Sequence, residues 1–275
     1  PSHIPFDDHS IIDTDGLLTL KTLPKSITII GGGVIGAEYA SILATMGIHV
    51  TLIERRPRLL EFVDQETIEA LQYHMRSIGV TLRFNEEVVS VERQPQEQVI
   101  VRLKSGKEIA ATTVLYSVGR TGASATLNLE AIGLAADDRG RLKVNEHYQT
   151  TVPHIYAAGD IIGFPALAST SMQQGRHAAC HAFGIPCQTQ SELMPYGIYS
   201  IPEISMVGRN EDDLTKNGVP YAVGIARYRE IARGQIIGDE LGMLKLLFHN
   251  KTRQLLGVHA IGDGATELIH IGQTV

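Results

Sequence analysis

The chain has no tryptophan, few aromatic residues of any kind (5%) and only two cysteines, Cys180 and Cys187. Two cysteines exclude a disulfide-stapled scaffold and fit a reducing cytoplasm, the expected location. No apolar run is long enough to span a bilayer and no signal peptide opens the chain, so no membrane association is expected. Basic residues are not in excess, since 24 Lys and Arg stand against 30 Asp and Glu, a net charge of −6. There is no long basic run either, so nucleic acid is not an expected partner. Internal repeats and low-complexity segments are also missing. Position 1 is proline rather than methionine, so the chain is not expected to begin at a natural start.

What remains is an ordinary globular composition. The 275 residues are 43% hydrophobic and 20% charged, enough for two domains or one and a half. One stretch organises the rest. Ile27 to Ile30 is a short β-branched run that predicts a buried parallel strand. It breaks at Gly31-x-Gly33-x-x-Gly36 and passes into a helical pattern in which Ile35, Tyr39, Ile42, Leu43 and Met46 share a face, with Gly47 at the C-terminal cap. A second strand, His49 to Ile53, ends in Glu54, 21 residues after Gly33. That order is the dinucleotide-binding fingerprint. Gly31 permits the turn, Gly33 lets the backbone approach a pyrophosphate, Gly36 lets helix and strand pack closely, and the acid accepts from a ribose.

The pattern continues with a helix from about Asp64 to Ser77, in which Asp64 is the N-cap, Ile68, Leu71, Met75 and Ile78 form the apolar stripe, and Gly79 is the stop. A third strand follows at Val80–Phe84. Val88–Val91, Val99–Leu103 and Glu108–Ala110 form an antiparallel insert, and Thr113–Val118 returns. Residues 1 to 25 read as irregular, with one helical turn at Leu17, Leu18 and Leu20 before Pro24. From 146 to 190 the pattern gives one strand, Thr151 to Asp160, and one helix, Ser169 to Phe183. Such a pair cannot bury a core alone and must belong to a domain whose other parts lie elsewhere. Residues 191 to 275 alternate as antiparallel strands around a helix capped by Asn210, and a last helix begins near Gly264.

These residues carry a resemblance. The second GxGxxG, Ser117-Val-Gly-Arg120, Ile155-Tyr-Ala-Ala-Gly-Asp160 and Tyr199-Ser-Ile-Pro-Glu203 with Val207-Gly208 stand in the order of the pyridine nucleotide–disulfide oxidoreductase flavoproteins. Within that class the chain is most similar to the NAD(P) transhydrogenases, through Leu115-Tyr-Ser-Val-Gly-Arg-Thr-Gly122, Ile201-Pro-Glu-Ile-Ser205 and Glu267-Leu-Ile-His-Ile-Gly-Gln273. The resemblance implies an α/β fold: a Rossmann-like NAD(P)-binding domain with an antiparallel β insert, a partial FAD-binding segment and an α+β dimerisation segment. It implies a connector from the FAD domain at 1–20, the NAD(P)-binding domain at 21–145, the return of the FAD domain at 146–190 and a partial dimerisation domain at 191–275. The chain would then be a central fragment, lacking the N-terminal FAD fingerprint and the C-terminal end.

The implied activity is FAD-dependent, Si-specific transfer of hydride from NADPH to NAD+ through the flavin, in a cytoplasmic homodimer. Gly31, Gly33 and Gly36 would hold the pyrophosphate of NAD or NADP, Glu54 the adenine ribose, and Arg55 and Arg56 the 2′-phosphate, unless the arginines form only a solvated turn. Glu38, placed in the first turn of the helix, would be the catalytic acid beside the nicotinamide, and Gly119 would admit the nicotinamide side. Gly159 and Asp160 would contact the flavin ribityl chain, and the helix start at Leu167-Ala168 would face its pyrimidine edge. Cys180 and Cys187 are expected to be small buried hydrophobes rather than a redox pair. His177 and His181 are expected to be ordinary helix histidines, with no metal site. Three alternatives stand beside this reading. One is a dihydrolipoamide dehydrogenase or related disulfide reductase. Another is a non-catalytic nucleotide-binding fragment. The third, a flavin-free NAD-dependent dehydrogenase, is disfavoured by Gly159-Asp160. The chain by itself is expected to be inactive and to hold little flavin.

Overall fold

The computed structural model describes residues 4–95, 98–187 and 193–275. Residues 1–3 of the expected connector and the expected boundary at 190 lie outside the described residues. The chain divides into two compact units, one made of residues 1–118 with 195–275 and one of residues 119–194.

The first unit opens with a short strand, β1 (Ile11–Ile12), and a five-residue helix, α1 (Thr14–Leu18), capped by Asp13. The sequence read these residues as irregular apart from one helical turn. Two apolar residues are too few to register as a strand, and only pairing with a distant return strand reveals them. Next come β2 (Ser26–Ile30), α2 (Val34–Thr45), β3 (His49–Ile53), α3 (Gln65–Ser77) and β4 (Thr81–Arg83). The insert is β5 (Val88–Gln94), β6 (Gln98–Leu103) and β7 (Glu108–Ala111), and β8 (Thr113–Tyr116) returns. The parallel sheet has the order β1-β8-β2-β3-β4. β2 lies at its centre, with Ile29 opposite Leu52 on one side and Leu115 on the other.

Alternation along β2 sends its side chains to two cores. Ile27 and Ile29 join Leu52, Leu115 and the helices α2 and α3, while Ile30 joins Ile53, Val114 and the insert residues Val91, Val99, Val101 and Leu103. A strand buried on both faces must be apolar without a period, which is how Ile27–Ile30 reads.

The face assigned to α2 needs correction. Of Ile35, Tyr39, Ile42, Leu43 and Met46 only Leu43 is buried, and the buried set is Gly36, Ala37, Ala40, Ser41, Leu43 and Ala44. The helix is apolar all round, so periodicity cannot choose a side. Close approach to the sheet selects the small residues instead. For α3 the stripe is as expected, with Ile68, Leu71 and Met75 fully buried and Asp64 accepting from the Thr67 N–H.

The same unit continues with β9 (Tyr196–Ile198), β10 (Ile204–Gly208), α5 (Glu211–Lys216), β11 (Tyr221–Arg227), α6 (Ala232–Ile237), β12 (Met243–His249), β13 (Leu255–Ile261) and α7 (Ala265–Thr274); the helix that precedes them, α4 (Ala168–Ala182), capped by Phe183, belongs to the second unit. The strands form an antiparallel sheet in the order β11-β12-β13-β10-β9. Ile198, Ile204, Met243 and Ile261 from this sheet enter the same core as α2 and α3.

The junction is also polar. Lys245 is fully buried, and its Nζ lies 2.9 Å from Asp64 Oδ1, 3.2 Å from Glu66 Oε2 and against Glu211. Arg58 pairs with Asp212 at 2.8 Å, and Asn210 Nδ2 donates to the Phe62 carbonyl at 3.2 Å. Burial opposes the charge on Lys245, but the three carboxylates outweigh it and hold the ammonium above its ordinary pKa. The other face of the sheet bears Leu244, Leu246, Leu255 and Val258 and, with α6 and α7, lines an apolar cavity of about 750 Å³.

In the second unit, residues 151–160 do not form the expected strand. The chain folds on itself instead, Thr150 N–H donating to the Ile155 carbonyl and Ala157 N–H to that of Tyr148, with a single bridge between Gln149 and Tyr156. Pro153 sits inside this turn, and among the described residues no strand lies alongside to extend the ladder.

Candidate functional site

The fingerprint turn is built by close contacts that only glycine allows. Gly31 has φ +109°, and a Cβ there would lie 2.8 Å from the Ser117 carbonyl oxygen. At Gly36 a Cβ would fall 1.9 Å from the Gly31 carbonyl oxygen, so the first turn of α2 rests on the end of β2. Gly33 is different, because a Cβ there would meet nothing within 4 Å. Gly33 is also the N-cap of α2 and supplies no side-chain acceptor. The start of α2 therefore presents first-turn N–H groups and the positive end of the helix dipole to open space, at a glycine whose backbone can be approached.

Glu54, at the end of β3, is bound into this turn. It is only 6% exposed. Its Oε2 accepts from the Gly32 N–H at 2.6 Å and from Arg56 Nη2 at 3.0 Å, and its Oε1 accepts from the Arg56 backbone N–H and Nε, both at 2.9 Å. Burial alone would raise the Glu54 pKa, but the Arg56 guanidinium and the two backbone donors outweigh it and keep the carboxyl below its ordinary value. The two arginines that the sequence treats alike are thus distinct. Arg56 is committed to Glu54, with Glu61 3.9 Å away, whereas Arg55 is exposed and has no ion-pair partner among the described residues.

The sequence missed two supports. Gly32, the variable position of the motif, donates to Glu54, and Ser117 Oγ donates to the carbonyls of Ile30 and Gly31 at 3.0 and 3.2 Å. A third consecutive glycine was the available signal.

Glu38 is half-buried and lies beyond the first turn of α2, which contains no acid, so a simple dipole role does not apply. Burial raises its pKa, offset in part by the Tyr199 N–H, which donates to Oε1 at 2.9 Å. One turn on, Ser41 Oγ accepts from the Ile201 N–H at 2.9 Å.

The second unit holds the other expected residues. Gly119, its first residue, has φ +79°. Gly159 opens a 3-10 turn and donates to the buried Gln174 Oε1 at 2.7 Å. Asp160 pairs with Arg120 at 3.1 Å. Leu167 is the N-cap of α4 and Ala168 its first residue, again without a side-chain cap. In that first turn Thr170 is buried and its Oγ1 has no hydrogen-bond partner. On the same helix His181 Nδ1 meets Tyr156 Oη at 2.8 Å and its ring stacks on His147, while His177 meets the Tyr148 ring edge-on. Cys180 and Cys187 are not buried hydrophobes. Both are free thiols and partly exposed.

A parallel sheet with a glycine crossover at its centre, helices on one face and an antiparallel insert on the other, defines a dinucleotide-binding domain, here followed by an antiparallel sheet of a later segment. The chain belongs to the pyridine nucleotide-disulphide oxidoreductase family, whose description matches residues 5–175, with the dimerisation domain of that family matching residues 194–275. It is 54% identical over its whole length to the soluble pyridine nucleotide transhydrogenase of Mycobacterium bovis and 50% identical to that of Pectobacterium atrosepticum. It spans 58% and 59% of those proteins. Among solved structures it resembles LpdA from Mycobacterium tuberculosis at 26% identity and a TM-score of 0.92, over 98% of this chain and 59% of that one. It also resembles the HOCl-induced flavoprotein disulfide reductase RclA from Escherichia coli at 29% identity and a TM-score of 0.91, over 99% and 63%.

Proposed function

We propose that the chain is the nucleotide-handling part of an FAD-dependent transhydrogenase that moves hydride from NADPH to NAD+, with Si specificity. The observation that carries this is the open, uncapped start of α2 at Gly33, set beside the Glu54–Arg56 pair and the exposed Arg55. The first-turn N–H groups of α2 would bind the pyrophosphate. Arg55 would meet the 2′-phosphate of NADP, with Arg56 in support, and Glu54 would hold the loop and accept from the adenine ribose. Glu38, with its raised pKa, would stand on the nicotinamide side, where Gly119 also contributes. A site serving both nucleotides must neither demand nor repel the 2′-phosphate, and a carboxylate neutralised by its own arginine meets that need.

FAD fits the residues of the second unit. α4 begins uncapped at Leu167-Ala168, Thr170 leaves a buried hydroxyl unpaired and Asp160 offers a carboxylate. When bound, FAD would supply the acceptor and donor of hydride. The protein's part is to orient Asp160 and Gly159 toward the ribityl chain and to place the positive end of α4 against developing negative charge. Residues 1–20 would connect from the FAD domain, 21–145 bind nucleotide, 146–190 return to the FAD domain and 191–275 contribute to a homodimer through the apolar face of the antiparallel sheet. The chain alone would bind nucleotide without turnover. Among the described residues no helix is long and apolar enough to cross a membrane; the proposed location is the cytoplasm.

Likeness to RclA supports disulfide reduction as the second reading. The test is NADPH-driven reduction of thio-NAD+ by the full-length protein, with and without lipoamide. Turnover without dithiol supports transhydrogenation; turnover only with lipoamide overturns it.

A further inference from the structure

β9 is the last strand of its sheet and pairs only with β10. Past its end, the N–H groups of Tyr199 and Ile201 turn to α2. In an extended chain, N–H groups two residues apart leave by the same edge. Their acceptors, Glu38 and Ser41, are three residues apart on the helix and so are neighbours on its surface. Glu38 Oε1 takes the Tyr199 N–H and Ser41 Oγ takes that of Ile201, both at 2.9 Å. Two side chains of α2 thus stand where the next strand of the sheet would.

Ser41 is fully buried, and its hydroxyl is used twice. It accepts from Ile201 and donates to the Glu38 carbonyl at 2.9 Å. Glu38 is half-buried, and its carboxylate is held at one oxygen. Among the described residues no hydrogen-bond donor reaches the other, Oε2. Burial raises the Glu38 pKa, the Tyr199 N–H lowers it, and no charged side chain of the described residues adds to these two influences.

We propose that Ser41 is a positioning residue for the hydride transfer: by anchoring Ile201 it fixes the Tyr199 N–H, which in turn aims the Glu38 carboxylate. This role depends on Glu38 standing beside the nicotinamide, as proposed above. As hydride leaves, the dihydronicotinamide ring becomes a pyridinium cation. A carboxylate fixed by one oxygen and free at the other presents a preset negative charge to that cation. Without the Tyr199 N–H the same carboxylate would sample several rotamers and, being half-buried, would take up a proton more readily. Alanine at position 41 leaves the Ile201 N–H without its acceptor and removes one of the two hydrogen bonds that tie this segment to α2.

The first test is carbon and proton NMR of the 275-residue chain with glutamate labelled at the carboxyl carbon, Glu38→Gln assigning the resonance. In the native chain the Tyr199 amide proton should shift with the same midpoint as the Glu38 carboxyl. In Ser41→Ala that midpoint should rise, and Ser41→Thr, which keeps the hydroxyl, should return it toward the native value. A Tyr199 amide that ignores the Glu38 titration, or a midpoint unchanged in Ser41→Ala, overturns the coupling. The second test is NADPH-driven reduction of thio-NAD+ by the full-length protein. Ser41→Ala should lower kcat about tenfold, the worth of one charge-assisted hydrogen bond, move its acid limb to higher pH and leave the KM for NADPH within about twofold. An unchanged kcat, a loss carried by KM alone, or one that threonine does not rescue overturns the positioning role. If Glu38→Gln leaves kcat intact, the placement of Glu38 beside the nicotinamide falls and the catalytic use of Ser41 falls with it, while the titrations on the chain still decide whether the two residues are coupled.

Discussion

Replacing Arg56 by methionine removes the guanidinium from a carboxylate that is 6% exposed and otherwise holds only two backbone N–H groups, those of Gly32 and residue 56 itself. Losing one partner of a buried ion pair costs about 3–5 kcal/mol. The Arg56 side chain is 39% exposed, so solvent already screens the pair, and the expected loss falls to about 1–2 kcal/mol. For a unit of this size that lowers Tm by about 2–8 °C.

The sign of its pH dependence is diagnostic. In the native chain the folded Glu54 pKa lies below its ordinary value, so its contribution is present at neutral pH and is lost as pH falls through the folded value. Without Arg56, burial becomes the dominant influence, and the folded pKa rises above the unfolded one. The variant is then penalised at neutral pH and relieved on acidification as Glu54 takes up a proton. The Tm gap between native chain and variant should therefore be widest near pH ~7 and shrink toward pH ~4. The assay is circular-dichroism melting at both values, with Glu54→Gln as the control in which the gap loses its pH dependence. A gap of equal size at both values, or one that widens on acidification, refutes the reasoning.

Arg55→Ala should weaken NADPH binding to the chain about tenfold, the worth of one exposed charge-assisted contact, and leave NADH unchanged, as read by nucleotide fluorescence titration. The two helix-start glycines should separate folding from binding. Gly36→Ala forces a Cβ to within 1.9 Å of the Gly31 oxygen and should cost several kcal/mol in chemical denaturation, whereas Gly33→Ala should cost under about 1 kcal/mol yet weaken both nucleotides. Lys245→Met leaves Asp64 fully buried without its cation and should cost about 3–5 kcal/mol, with Asp64→Asn restoring part of it in the double variant. Because the Lys245 pKa is raised on folding, its contribution is present below the unfolded value near 10.5 and fades as pH climbs through the folded one, which alkaline melts would show.

Local chemistry was legible in the sequence. The glycines that end α2 and α3, the Asp64 and Asn210 caps, the aperiodic β2 and the alternating insert follow from backbone sterics and from orphan N–H groups that a neighbouring residue satisfies. All of these act within a few positions of one another, so order along the chain is enough to reveal them.

Three features were decided only when distant segments met. They are the buried side of α2, the capture of Glu54 by the Gly32 N–H and the burial of Lys245 against α3. Each depends on which groups lose water together. A carboxylate beside two arginines reads as a nucleotide clamp until folding shows that one of the two is already spoken for. A lysine in an alternating strand reads as solvated until its neighbours across 181 positions of chain prove to be acids. Desolvation is a property of the assembled interior, and sequence order does not encode it.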